Sequence, residues 1–248
     1  MSLNGIEKAH FCAYLEKTFQ SNGLFSLLCD GATEKFYRLT ELMLTVNEKY
    51  NLTAIKEPEK IILNHYADCA TLAARLKEGE TICDVGCGAG FPTLPIAILR
   101  PDIKIVGIDA TAKRTAYVKM AAEVLGLYNV SVLTGRAEEI GQDAKYREKF
   151  DTVTARAVAN MRVLCELCLP LCRVGGKFIA MKGRGAEEEL AEAKGAISKL
   201  SGKLVSVEKI TLESETEQLS HPLIIIEKSA RCQSSFPRAY AKILKKPL

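Results

Sequence analysis

No stretch of the 248 residues approaches the ~20 consecutive apolar residues that would span a bilayer, so a membrane protein is not expected. Residues 1–10 mix acid and base and hold no apolar segment, so they do not read as a secretory signal. Neither an internal repeat nor a low-complexity tract is visible. Nine cysteines are present, but the number is odd and a chain of this length needs no staples. Reduced thiols in a cytoplasmic protein are therefore expected. Acid is missing from one place: residues 231–248 carry Arg231, Arg238, Lys242, Lys245 and Lys246 and no Asp or Glu. The net charge is +4, so the body without this tail is close to neutral. A basic tail on a neutral body suggests local contact with phosphates, and the tail is expected to serve RNA rather than the fold.

What is present has the composition of a globular domain, 48% apolar and 26% charged. Residues 1–78 read as a helical region. Phe36, Leu39, Met43, Val46 and Tyr50 form one stripe at three-four spacing. Pro58 starts a second helix, with Ile61, His65, Cys69, Leu72 and Leu76 on one face, and Gly79 closes the block. Over residues 79–230 short strand-like runs alternate with helical ones. The strand runs are 81–85, 104–109, 130–133, 150–155 and 176–182, and a helix is expected over 161–172. That alternation predicts a doubly wound α/β sheet, mostly parallel. The runs 203–212 and 222–228 have no helix between them, so one strand near the C-terminus should be antiparallel. Residues 231–248 form the tail.

The first strand runs into Asp84-Val85-Gly86-Cys87-Gly88-Ala89-Gly90-Phe91-Pro92. Glycines there permit a tight turn and close approach of a ligand to the backbone, beyond the carboxyl ends of the strands. Phe91 sits where a dinucleotide fingerprint needs a small residue, and no Gly-Lys-Ser/Thr follows, so neither a nicotinamide dehydrogenase nor a Walker loop fits. The form Asp-x-Gly-x-Gly-x-Gly resembles motif I of class I S-adenosylmethionine-dependent methyltransferases. Asp109 ends the second strand 23 residues after Gly86, where a carboxylate can accept both hydroxyls of a ribose or cap the next helix. After the third strand, the backbone N–H of Ala137 is placed to pair with an adenine nitrogen, Glu138 to accept from the exocyclic amine, and Glu139 reads as a solvated charge.

Together with further pieces, these residues resemble the bacterial small-subunit ribosomal RNA guanine-N7 methyltransferases, the glucose-inhibited division B family. The pieces include Asn51-Leu52-Thr53-Ala54-Ile55, His65 and Asp68, Lys113-Arg114, Gly135-Arg136-Ala137-Glu138-Glu139, Ala155-Arg156-Ala157, Lys182-Gly183 and Phe236-Pro237-Arg238. Departures are Cys87, Thr93, Cys69-Ala70 and a tail lacking the usual Gly-x-Pro. The resemblance implies a Rossmann-like class I fold and S-adenosylmethionine held by Asp84, Gly86, Gly88, Gly90, Phe91, Asp109, Ala137, Glu138 and Arg156. It also implies methyl transfer to N7 of a guanosine in 16S rRNA, free or within the small ribosomal subunit, by a cytoplasmic monomer.

The chemistry expected of such a reaction matches what the fourth strand's loop lacks. Guanine N7 has a lone pair and no proton to remove, and the loop offers neither Asn/Asp-Pro-Pro-Tyr nor a cysteine nucleophile. Arg156 is the catalytic candidate, through orientation or substrate contact. It could meet guanine, an RNA phosphate or the cofactor carboxylate, or form only a surface salt bridge. His65 and Asp68, three apart on a helix, could pair. Cys165, Cys168 and Cys172 read as small apolar residues rather than metal ligands, and no metal is expected. Glu187, Glu188 and Glu189 read as a solvated first turn. A non-catalytic cofactor- and RNA-binding assembly module, or a class I enzyme with another substrate, remain the alternatives.

Overall fold

The computed structural model describes residues 7–156, 158–183 and 185–248. Ala157, the last residue of the Ala-Arg-Ala run, lies outside them. Strands β1 (Thr81–Val85), β2 (Lys104–Asp109), β3 (Val130–Thr134), β4 (Phe150–Arg156), β5 (Cys172–Met181), β6 (Gly202–Glu213) and β7 (Gln218–Lys228) form one sheet. Their order is β3-β2-β1-β4-β5-β7-β6. The first five are parallel, and β7 runs antiparallel to both β5 and β6, as the missing helix between the last two strand runs requires. Ile82, Cys83, Asp84 and Val85 are all buried because helices cover both faces of the sheet. The register brings Val85, Asp109, Thr134, Arg156 and Met181 to the same carboxyl edge.

Helices α1 (Lys8–Ser21) and α2 (Ala32–Tyr50) lead into a continuous helical stretch made of α3 (Pro58–Ile61), a π-helical turn (Ile62–Ala67) and α4 (Asp68–Ala73). In α2 the expected stripe holds for Phe36, Leu39 and Met43 but fails at Tyr50, which is exposed. Asn47 is buried instead, its side chain donating to the Thr53 carbonyl and accepting from the Thr53 N–H. Asn51, in the left-handed conformation, ends the helix. The second stripe, Ile61 to Leu76, is buried throughout. Around the sheet lie α5 (Thr93–Leu99), α6 (Ala112–Val124), α7 (Ala137–Ile140), α8 (Met161–Cys168) and α9 (Ala186–Lys199). The expected helix over 161–172 is shorter: it stops at Cys168 because Pro170 follows, and Cys172 already opens β5.

Two apolar cores result, one on each face of the sheet. The first joins Phe36, Leu39 and Met43 to Tyr66, Leu94 and Ile105, so the N-terminal helices share their core with the sheet. The second gathers Cys165, Cys168 and Cys172 with Val153, Phe178 and Ile224. Those cysteines pack as small apolar side chains.

The tail departs most from expectation. Cys232, Phe236 and Ile243 are buried in the second core, and α10 (Tyr240–Lys245) packs beside α8. Arg238 does not wait for phosphate: its Nε and Nη2 donate to the two carboxylate oxygens of fully buried Glu166, at 2.7 and 2.6 Å. A buried carboxylate needs such a partner, so the tail completes the fold. Lys242, Lys245 and Lys246 remain exposed. Truncating Ile243 to Ala should therefore cost about 2–5 kcal/mol of stability, read from the denaturant midpoint. An unchanged midpoint would mean that α10 is not docked.

Candidate active site

The glycine loop leaves β1 at the carboxyl edge. A Cβ on Gly86 would lie 2.5 Å from Val158 in the loop after β4, and one on Gly90 would lie 2.5 Å from Leu94 of α5. The loop thus runs close beneath its neighbours. Gly86 and Cys87 donate their N–H groups to the Ile108 carbonyl, at 2.7 and 2.9 Å. Gly88 donates its N–H to Asp109 Oδ2 at 3.0 Å, while Asp109 Oδ1 accepts from the Thr111 N–H at 2.8 Å. Thr111 is the N-cap of α6, so Asp109 splints the glycine loop and the start of that helix together. Arg114 stands 3.8 Å from the same carboxylate.

A cavity of about 340 Å³ opens between these loops, within the range of small-molecule sites. Of the residues expected to hold a cofactor, Gly86, Asp109, Ala137 and Glu138 line it, with Thr111, Arg114, Arg136, Val158 and Tyr240. Ala137 is the first residue of α7, a position whose N–H has no acceptor within the helix. Glu138 is buried and accepts from Arg136 Nε at 2.7 Å, whereas Glu139 is exposed as expected.

Asp84, Gly88, Gly90, Phe91 and Arg156 do not line this cavity. Phe91 stacks on the His65 ring at 4.3 Å and anchors the loop to the π turn. Asp84 is buried at the end of β1. Its Oδ2 accepts from the Thr93 hydroxyl at 2.6 Å, while Oδ1 has no hydrogen-bond partner among the described residues. Burial pushes its carboxyl up to about 6.

Arg156 turns toward the helical stretch instead. Its guanidinium donates to the Asn64 carbonyl at 2.9 Å and to His65 Nδ1 at 3.1 Å, and lies 3.4 Å from Asp68 Oδ2. Its side chain is only 20% exposed, so a surface salt bridge does not describe it. The expected His65–Asp68 pair is not formed: Arg156 stands between them. Asp68 Oδ1 pairs with His221 Nε2 of β7, and the other His65 nitrogen meets the Thr53 hydroxyl at 3.1 Å. Burial, then the Arg156 charge, lowers His65 to about 4, so its ring is neutral at pH 7. The Asp68 carboxylate raises His221, against the opposing effect of its burial. This cluster borders a second cleft of about 270 Å³ shared with Lys182. Lys182 donates to the Ala159 carbonyl at 2.9 Å and pairs with Glu189 at 2.7 Å. Glu189 also accepts from the Met161 N–H, so it ties α8 to α9 and is not merely solvated.

Sequence reasoning missed His221 and Tyr240. A lone histidine at the start of a strand run and a tyrosine in a basic tail carry no periodic signal. Thr53 lies within the Asn51–Ile55 run, where spacing alone gives its hydroxyl no partner. Burial pushes up the thiols of Cys69, Cys83, Cys87, Cys165, Cys168 and Cys172, which keeps them protonated and unreactive.

The sequence matches the family described as GidB, rRNA small subunit methyltransferase G, over residues 32–219. It is 43% identical over 226 residues to the ribosomal RNA small subunit methyltransferase G of Lactobacillus helveticus, covering 90% of this chain and 93% of that one. The chain belongs to the rRNA small subunit methyltransferase G family. At the level of fold, it is similar to the precorrin-6y C5,15-methyltransferase of Geobacter metallireducens, with TM-score 0.51 and 14% identity over 73% of this chain and 92% of that one. A SAM-dependent methyltransferase of Methanosarcina mazei gives TM-score 0.51 and 15% identity over 65% and 98%. The class I methyltransferase fold is therefore present, with β7 as its antiparallel strand. Within this member of the methyltransferase G family, Asn51, His65, Asp68, the glycine loop and Arg156 fall inside the matched span, while His221 and Tyr240 fall beyond it.

Asp84 makes stability depend on pH. Its folded pKa lies above the ordinary carboxylate value near 3.9, so the native state holds the proton more tightly than the unfolded chain. Its contribution therefore falls as pH rises from about 4 to about 6, and the full penalty is present above that. Asp84→Asn keeps an acceptor for Thr93 and removes the charge. The variant should gain on the wild type by roughly 2 kcal/mol more at pH 8 than at pH 4, measured by thermal melts. An equal gain at both values would place the orphaned carboxylate elsewhere in the energetics.

Proposed function

We propose that this protein transfers a methyl group from S-adenosylmethionine to N7 of a guanosine in 16S rRNA. The observation that carries this reading is the convergence of Gly86, Asp109, Ala137 and Glu138 on one cavity in a chain of the methyltransferase G family. The residues fit the cofactor. Gly86 leaves the cavity wall without a side chain, Asp109 has lone pairs left after its two N–H bonds, and the Ala137 N–H has no acceptor within its helix. Asp109 would take the ribose hydroxyls, with Ala137 N–H and Glu138 at the adenine. Gly86, Gly88 and Gly90 would shape the path of the remaining chain, backed by Asp84 and Phe91.

When bound, the cofactor supplies a methyl group on a positively charged sulfur. The protein has no proton to remove from guanine N7, and its cluster is built accordingly. His65 is neutral and engaged on both nitrogens, and Asp68 is committed to Arg156 and His221. These groups hold a fixed positive charge at the end of β4 rather than a mobile proton. Their contribution is orientation of the base against the methyl group. Arg156 is the group assigned to that task, through contact with substrate or with the cofactor carboxylate. The substrate would be free rRNA or the small subunit, met in the cytoplasm by a monomer. Among the described residues no helix is long and apolar enough to cross a membrane.

The test is mapping of 7-methylguanosine in 16S rRNA with and without enzyme and cofactor; methyl incorporation into other molecules alone would reject the reading. Asp109→Ala should weaken cofactor binding by about 1–3 kcal/mol in calorimetry. Arg156→Lys keeps the charge but not the fork of donors. It should lower single-turnover rate at saturating rRNA by more than it lowers rRNA affinity. Normal turnover would remove Arg156 from the reaction.

A further inference from the structure

The tail does more than fill the second core. Arg147 donates to the Phe236, Gln233 and Cys232 carbonyls at 2.6, 3.0 and 3.2 Å, and Gln142 donates to the Pro237 carbonyl at 2.8 Å. Arg238 is locked to Glu166, and farther along Arg162 donates to the Pro247 and Leu248 carbonyls. Tyr240 lies between these anchor points. Its position on the cavity wall is therefore fixed from both sides rather than left to a free chain.

At that wall the Arg136 guanidinium lies over the Tyr240 ring, 4.6 Å from its centroid, and donates to Glu138 at 2.7 Å. The Arg136 side chain is 45% exposed, and a long cation in water does not keep one rotamer unaided. The ring on one side and the carboxylate on the other hold it. In turn, Arg136 holds one carboxylate oxygen of Glu138, which lines the cavity, and so fixes the direction of that side chain.

We propose that Tyr240 is a cofactor-binding residue: it closes the adenine end of the cavity and, through Arg136, positions Glu138 for the exocyclic amine. This rests on the cofactor assignment made above. The chemistry suits a planar, uncharged heterocycle. An aromatic wall excludes water from it, and a carboxylate whose charge is balanced by a stacked cation selects a donor amine over a carbonyl. Adenine presents that amine, whereas hypoxanthine presents a carbonyl at the same position.

Binding of S-adenosylhomocysteine, followed by calorimetry, tests this without turnover. Tyr240→Ala should weaken binding about five- to tenfold, the scale of one aromatic contact, while Tyr240→Phe stays within about twofold. Arg136→Ala should weaken binding similarly, and the double variant should lose less than the product of the two. Wild type should prefer S-adenosylhomocysteine over S-inosylhomocysteine, and Tyr240→Ala should reduce that preference. The affinity for 16S rRNA and its salt dependence should be unchanged in Tyr240→Ala. If that variant fails to fold, Tyr240→Leu, which keeps the apolar bulk, carries the same comparison with Tyr240→Phe. Unaltered cofactor affinity and selectivity in a folded Tyr240→Ala or Tyr240→Leu, or a loss confined to rRNA affinity, overturns the proposal. If wild type itself does not bind S-adenosylhomocysteine, the cofactor assignment falls and this inference falls with it; binding by wild type with no effect at Tyr240 rejects the inference alone.

Discussion

A guanidinium ion with four-fifths of its side chain out of water must be surrounded, and the carboxyl edge of this sheet is organised around that demand. Arg156 could be buried only if other elements brought acceptors to it. The π turn brings the Asn64 carbonyl and His65, α4 brings Asp68, and β7 brings His221 behind Asp68. Three segments far apart in sequence, the helical stretch over 58–73, β4 and β7, are thereby held at one edge. The N-terminal helices are consequently part of the site and not an appendage to it. Asn47 clamps Thr53, Thr53 meets His65, and His65 stacks on Phe91 of the glycine loop.

The sheet was legible because both of its signals are local. Strands buried on two faces read as short continuous apolar runs, and the missing helix between 212 and 222 predicts the reversal that β7 makes. The cavity's own residues were also legible, since the glycine loop and Asp109 stand at strand ends that topology alone brings together. What escaped was everything decided by a partner distant in sequence. Nothing near Asp68 announces that His221 will meet it across 153 residues, and helix periodicity pointed to His65 instead. The shared helical face was real, but a cation from β4 fits between the two side chains.

The expectation that the tail stands apart from the fold failed for a related reason. Counting charge in residues 231–248 treats each cation as free, yet one acid elsewhere is enough to change the account. Glu166 is fully buried in α8, whose one cation, Arg162, turns instead to the Pro247 and Leu248 carbonyls, so the carboxylate has to find its cation elsewhere. The charge pattern of the tail thus recorded two different things: Arg238 serves the interior, while Lys242, Lys245 and Lys246 face water.

The distribution of thiols has a practical side. Cys29 is exposed, Cys12 is half-buried, and the remaining seven are buried. Cys69 and Cys87 lie on the face of the sheet covered by the N-terminal helices, whereas Cys165, Cys168 and Cys172 lie on the other. A thiol reagent added to the native protein can reach the second group only when that layer opens, and the first only when the helical layer lifts. The molecule therefore carries its own set of clocks, one for each side of the sheet, by which the opening of the two layers can be timed separately without introducing a single foreign probe.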